Sequence, residues 1–276
     1  MSLAYLGTSE FAVGVLAGLE PDLVVTRSDR PAGRGQKLAS PPVATAARER
    51  GLALQQPEDV HALDLSDFDD IVVCAFGVWI KEPLISHPGL VNVHPSLLPR
   101  WRGAAPIERA IMAGDAETGV CLMEVAEELD AGGIFSRTSL PIGPDDTYGT
   151  LSPRLQELSV RLLADYFATR PPAVPQAEEG MTYAEKIAAA DRRLDPERNA
   201  EANARVVRAL DPHIGAKAGD LGVWSARAVA DTPPAGEITV DAGRVLWGCA
   251  GGALELLEVQ PPGKRRMSAA DFARGR

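Results

Sequence analysis

The fold turns on the stretch LAYLGTSEFAVGVLAGLEPDLVVTR, Leu3 to Arg27. LAYLG is a short apolar run and reads as a buried strand. TSEFAVGVLAGLE has helical spacing behind a capping Thr8 or Ser9, and DLVVTR is β-branched again, a second strand. Strand, helix, strand is the repeating unit of a parallel sheet. Working outward, apolar runs recur at LALQ, DIVVCAF and LVNVH, separated by the helical PPVATAARERG and by linkers rich in Asp, Pro and Gly. This alternation predicts an α/β domain with a mostly parallel sheet covered by helices on both faces. Ligands of such open sheets bind beyond the carboxyl ends of the strands. The first turn holds Gly7 alone rather than GxGxxG, so a dinucleotide fingerprint is missing.

VCLMEV and GIFSRTSLPI predict two further strands, and TYGTLSPRLQELSVRLLADYFA predicts the helix that closes the first domain. Composition then shifts. TRPPAVPQAEEG is rich in Pro and Glu and reads as an extended linker, about 169–192. Beyond it NAEANARVVRAL predicts a short helix, and VWSARAVA, GEITVD, GRVLWGCAG and ALELLEVQ predict strands of a smaller β-rich, barrel-like domain. The expected division is 1–180 and 193–276. A length of 276 residues, with 45% apolar and 24% charged residues, suits one large or two unequal globular domains. No apolar run approaches the roughly 20 residues of a membrane span, and MSLAYLGTSEF lacks a signal-peptide pattern, so a cytoplasmic protein is expected.

The net charge of −10 argues against a surface coated for nucleic acid, but its distribution is uneven. From Arg193 onward stand 12 basic and 11 acidic residues, leaving 16 basic and 27 acidic before it. Two basic islands interrupt the acidity, RSDRPAGRGQK (27–37) and KRRMSAADFARGR (264–276). On charge alone each reads as a solvated turn or as a local polyanion contact. Cys74, Cys121 and Cys249 lie far apart among apolar neighbours and read as buried thiols. His61, His87, His94 and His213 have no ligand spacing, so no metal is expected.

Chemistry concentrates at VNVHPSLLPRWRGAAP, Val91 to Pro106. Alternation along the strand puts Asn92 and His94 on one face, and Pro95 and Pro99 end the ladder and hold SLLP as a fixed loop. A third candidate is Asp130 in EELDAGGIF, where Gly132 and Gly133 are expected to let the backbone take strained angles beside the carboxylate. Each residue alone is more commonly structural. Together an amide, an imidazole and a carboxylate suit acyl transfer to an amine, with donors for a tetrahedral oxyanion and a carboxylate to accept protons.

The string NVHPSLLPRWRGAAPIERAIMAGDAETGVCLMEVAEELDAGGIF resembles the folate-dependent formyltransferases. RWRGAAPI and the early DRPAGRGQKL are similar to the methionyl-tRNA formyltransferase branch in particular, and TSEFA, TYAEKI and QPPGKRRMSAADF follow in the same order, so the resemblance spans nearly the whole chain. It implies a Rossmann-type catalytic domain followed by an OB-like barrel that binds tRNA. It implies a catalytic triad of Asn92, His94 and Asp130, a folate-binding loop of Ser96, Leu97, Leu98 and Pro99, and tRNA contacts at Arg30, Arg34 and Lys37. The implied donor is 10-formyltetrahydrofolate, the implied acceptor methionyl initiator tRNA, without a metal, by a monomer. The rival expectations are formylation of glycinamide ribonucleotide or of an amino sugar nucleotide, and a folate- or RNA-binding regulator with a silent site.

Overall fold

The computed structural model describes residues 2–32 and 37–275. In chain order the first elements are β1 Leu3–Gly7, α1 Glu10–Leu16, β2 Leu23–Val25, β3 Arg30–Ala32, β4 Lys37–Ala39, α2 Pro42–Glu49, β5 Leu54–Gln55, β6 Asp70–Cys74 and β7 Leu90–His94. There follow β8 Arg102–Gly103, α3 Pro106–Ala113, β9 Glu117–Met123, β10 Ile134–Pro141, α4 Tyr148–Thr169 and β11 Tyr183–Ala184. The chain ends with α5 Ala200–Leu210, β12 Ala216–Ala218, β13 Leu221–Val229, β14 Ile238–Asp241, β15 Arg244–Cys249, β16 Gly252–Gln260, β17 Met267–Ser268 and α6 Ala269–Arg274.

The opening stretch folds as its pattern requires. Ser9 caps α1 by accepting the Ala12 N–H at 3.4 Å, and β1 pairs in parallel with both β2 and β6. Among the described residues the sheet has seven strands in the order β10-β9-β7-β6-β1-β2-β5. From β7 to β5 all pairings are parallel, whereas β9 runs antiparallel to β7, so the sheet is mostly parallel. The inner strands are buried on both faces, which is why LAYLG and DIVVC are continuous apolar runs rather than alternating ones. One face is packed by Leu6, Val25, Ile71, Val73, Phe76 and Leu90. On the other, the Tyr5 hydroxyl donates to the Ala12 carbonyl at 2.6 Å.

Asp70, fully buried at the start of β6, is held by both guanidinium nitrogens of Arg170 just past the end of α4, which also lies over the rings of Tyr166 and Phe167 at 5.2 Å. Arg170 takes a left-handed φ of 47° there. Buried charges persist only when paired and hydrogen-bonded, and this pair ties the end of α4 to the sheet.

Packing divides the chain into two units: residues 1–104, 119–140 and 152–183, and residues 105–118, 141–151 and 184–276. Both are interleaved in sequence, unlike the contiguous division 1–180 and 193–276. The second unit is an antiparallel sheet in the order β12-β13-β16-β15-β14, with β17 on β16 and α5 packed over β13 and β16. Val206, Val207, Leu210, Val223, Trp247 and Leu254 fill its core. The register of β13 against β16 shifts between Val223 and Ala226, an irregularity of the sort that bends a sheet toward a barrel. Cys74, Cys121 and Cys249 are buried free thiols, and burial pushes Cys74 up to about 12 and Cys121 to about 11. No described helix is long and apolar enough to cross a membrane.

Candidate active site

His94 is the last residue of β7, at the carboxyl edge of the parallel strands, and it is nearly fully buried. Its Nε2 lies 2.8 Å from the Trp101 carbonyl oxygen, which can only accept, so Nε2 carries a proton. Its Nδ1 faces Asp130 Oδ2 at 3.5 Å. Both ring nitrogens thus face oxygen atoms. Asp130 Oδ2 also accepts the Gly103 N–H at 2.7 Å, a charge-assisted bond that fixes the carboxylate. Asn92 stands two residues before His94 on β7, half-buried and on the same strand face. The structure therefore brings His94 and Asp130 together, and the strand period puts Asn92 on their side.

The loop after β7 is built by its own backbone. Ser96, fully buried, donates its hydroxyl to the Arg100 carbonyl at 2.7 Å, and its N–H bonds the His94 carbonyl at 2.9 Å. Leu98 is buried against Cys121, Met123 and Ile134. Ser96 and Leu98 thus anchor the loop, while Leu97 and Pro99 remain half-buried on it. Trp101 takes a left-handed φ of 66°, and its N–H bonds the Thr182 hydroxyl at 3.0 Å. That turn is what aims the Trp101 carbonyl at His94.

The loop carrying Asp130 differs from expectation in one respect. The strained residue is Asp130 itself, at φ 48°, and neither Gly132 nor Gly133 has a left-handed φ. A Cβ on Gly132 would stand 2.1 Å from the Glu124 carbonyl oxygen, so this glycine serves close approach of the loop to the end of β9. The restraint that holds the strain comes from the supposed linker. Gln176 donates through Nε2 to the carbonyls of Asp130 (2.7 Å) and Gly132 (2.8 Å). Its Oε1 accepts from Nε and Nη2 of Arg102 at 3.2 and 2.9 Å. Arg102 is almost fully buried and reaches Glu128 as well, at 3.1 Å. Gln176 and Arg102 went unassigned in the sequence. No spacing marks a lone glutamine 46 residues from its partner.

Of the basic island, Arg30 is exposed on β3, Arg34 lies outside the described residues, and of Lys37 only its place in β4 is described. Among the described residues no group of three or more His, Cys, Asp or Glu is placed to hold a metal ion.

Comparison with known proteins fits this geometry. The formyl transferase family matches residues 19–166, and the formyl transferase C-terminal domain matches residues 186–276. The chain belongs to the formyl transferase family. It is 44% identical to the methionyl-tRNA formyltransferase of Methylococcus capsulatus over 99% of this chain and 96% of that one. It is 40% identical to the methionyl-tRNA formyltransferase of Aromatoleum aromaticum, over 100% and 94%. In fold this formyl transferase is similar to the N-formyltransferase from Helicobacter canadensis solved in complex with folinic acid and dTDP-3-aminofucose. The TM-score is 0.68 at 15% identity, over 93% of this chain and 98% of that one.

Proposed function

We propose that this enzyme transfers a formyl group from 10-formyltetrahydrofolate to the α-amine of methionyl initiator tRNA. The observation that carries the chemistry is the 3.5 Å approach of His94 Nδ1 to Asp130 Oδ2, with the other end of the ring fixed on the Trp101 carbonyl. The acceptor is supported by the identity, at 40–44% over whole chains, with methionyl-tRNA formyltransferases.

The folate donor supplies the activated formyl carbon, and the loop of Ser96, Leu97, Leu98 and Pro99 fits it: Ser96 and Leu98 make the loop rigid, and Leu97 and Pro99 keep surface for the flat face of a heteroaromatic ring. As the neutral amine adds to the formyl carbon, negative charge grows on the formyl oxygen. The Asn92 amide and the Nδ1–H of His94 are the donors that stabilise it. At 3.5 Å the Asp130 contact leaves the Nδ1–H able to turn to that oxygen, while the 2.8 Å bond to Trp101 holds the ring in place. Asp130, fixed by Gly103, takes the proton the amine gives up and passes it to the departing folate nitrogen as the carbon–nitrogen bond to the donor breaks. Arg30, Arg34 and Lys37 meet phosphates of the acceptor arm, and the second unit carries the remaining tRNA contacts, with the chain acting as a monomer.

The test supplies 10-formyltetrahydrofolate with three acceptors in parallel: methionyl initiator tRNA, glycinamide ribonucleotide and a nucleotide-linked amino sugar. Preference for the tRNA by several orders of magnitude in kcat/KM is expected. Equal or better use of either small acceptor reassigns the enzyme.

A further inference from the structure

We infer that a cavity of about 170 Å³, lined by Thr26, Arg27, Ser28, Arg30, Glu58 and Phe76 among others, receives the 5′-phosphate of the acceptor's terminal nucleotide. The inference rests on the proposed function for the identity of the acceptor. The cavity opens where β2 and β6 end, on the same carboxyl edge of the sheet as His94. Thr26 is 1% exposed, and its hydroxyl finds no partner among the described residues, although it lines the cavity. A buried hydroxyl left unmet is uncommon, and Thr26 keeps one bond unmade in the wall of the cavity. Arg27 is half-buried beside it, and its Nη1 lies 3.6 Å from where a Cβ of Gly77 would stand, so the guanidinium bridges from the end of β2 to the loop after β6. No carboxylate pairs with Arg27 among the described residues.

Two of the three nearby acids are otherwise engaged, and the third, Glu58, lines the cavity from its exposed rim. Asp59 caps the turn Val60–Ala62 by accepting the His61 N–H at 3.0 Å. Asp29 is bonded by Gln56 (2.7 Å) and Ser40 (2.9 Å), which hold its carboxyl below the usual range, and Glu58 is exposed. The Ser28 hydroxyl donates to the Pro57 carbonyl at 3.2 Å and closes the wall, and buried Phe76 and Val60 make an apolar floor.

Distance decides the occupant. The strand order β7-β6-β1-β2 puts three spacings, about 14 Å, between the strand ending at His94 and the strand ending at Val25. The path from an aminoacyl amine through the ester and ribose to the 5′-phosphate spans about 10 Å when extended. The arm of Arg27 covers the remainder. With the amine at His94, the phosphate reaches Arg27 and Thr26.

A carboxylate of the donor's glutamate tail is the other oxyanion that could enter, so the kinetics must vary donor and acceptor separately. Arg27→Gln is expected to raise the KM for methionyl-tRNA about tenfold. It should also flatten the slope of log KM against log salt by about 0.7, the contribution of one phosphate on a single strand. Thr26→Val should raise that KM a few-fold while leaving thermal stability equal or higher, a combination a purely structural hydroxyl would not give. Donor KM and kcat should stay within about twofold of native in both. An unchanged acceptor KM and salt slope in Arg27→Gln overturns the inference, as does a rise in donor KM alone, which assigns the cavity to the glutamate tail. Failure of the proposed function reads differently, because the native enzyme would then not formylate the tRNA at all.

Discussion

Gln176 gives the sharpest prediction, because the carboxylate proposed to handle the proton, Asp130, sits on a strained residue and this side chain is what restrains it. Two donated bonds, at 2.7 and 2.8 Å, hold the carbonyls of Asp130 and Gly132, and Asp130 is kept at φ 48°. Strain of that kind is worth roughly 1–3 kcal/mol. Two neutral bonds of about 1 kcal/mol each supply about 2 kcal/mol against it. Gln176→Ala removes them, so the relaxed loop gains about 2 kcal/mol, and the competent population falls roughly 30-fold. Single-turnover formylation at saturating donor and acceptor should slow by that factor, with folate affinity nearly unchanged. Gln176→Glu separates positioning from stability. It keeps the acceptor for Arg102 but sets a carboxylate oxygen against two carbonyls, so the melting temperature should hold while the rate falls at least as far. Rates within threefold of native for both variants would refute the argument that this restraint positions Asp130.

The remaining predictions concern separate parts of the molecule. Arg170→Ala leaves the fully buried Asp70 without its partner and should lower unfolding stability by about 3–5 kcal/mol, read from the urea midpoint; a loss under 1 kcal/mol would contradict the pairing. Arg109 bonds Asp191 at 3.0 Å through both guanidinium nitrogens and holds its carboxyl below the usual range. A depressed folded value stabilises above the unfolded pKa near 3.9 and is lost as pH falls through the folded one, so Asp191→Asn should be less stable at pH 7, with the gap closing below about pH 4. Burial keeps Cys74 and Cys121 protonated, and iodoacetamide at pH 8 should leave both unlabelled in the folded enzyme and label them in guanidinium.

Much of the first unit was legible because its inner strands are continuous apolar runs separated by capped helices, and that pattern has few other solutions. The same holds for α5, where NAEANARVVRAL begins at the capping Asn199 and runs to Leu210, as read. Helix α3 was not read, since PIERAIMA follows a polar, proline-bearing stretch and Ala105 supplies no side-chain cap. Its available signals were Pro106 at the first turn and Gly114 at the left-handed end, φ 79°. At the site, the period of β7 sets Asn92 and His94 on one strand face, and Asp130 lies 3.5 Å from His94. Its support was not visible. Gln176 and Thr182 act across long sequence separations on Asp130 and Trp101, and hydrogen bonds between isolated polar residues leave no periodic trace. The sequence suggests strained backbone angles at Gly132, whereas its role is the absence of a Cβ beside Glu124.

In the proposed mechanism Asp130, held by Gly103 and facing His94, handles the proton of the attacking amine. Asp130→Asn keeps the shape of the side chain and an oxygen for the Gly103 N–H, but removes the basic carboxylate. The direct measurement is its single-turnover rate of methionyl-tRNA formylation beside its equilibrium affinity for the folate. A rate lower by about 10²–10³ with folate affinity unchanged is predicted. A rate near that of the native enzyme would contradict it.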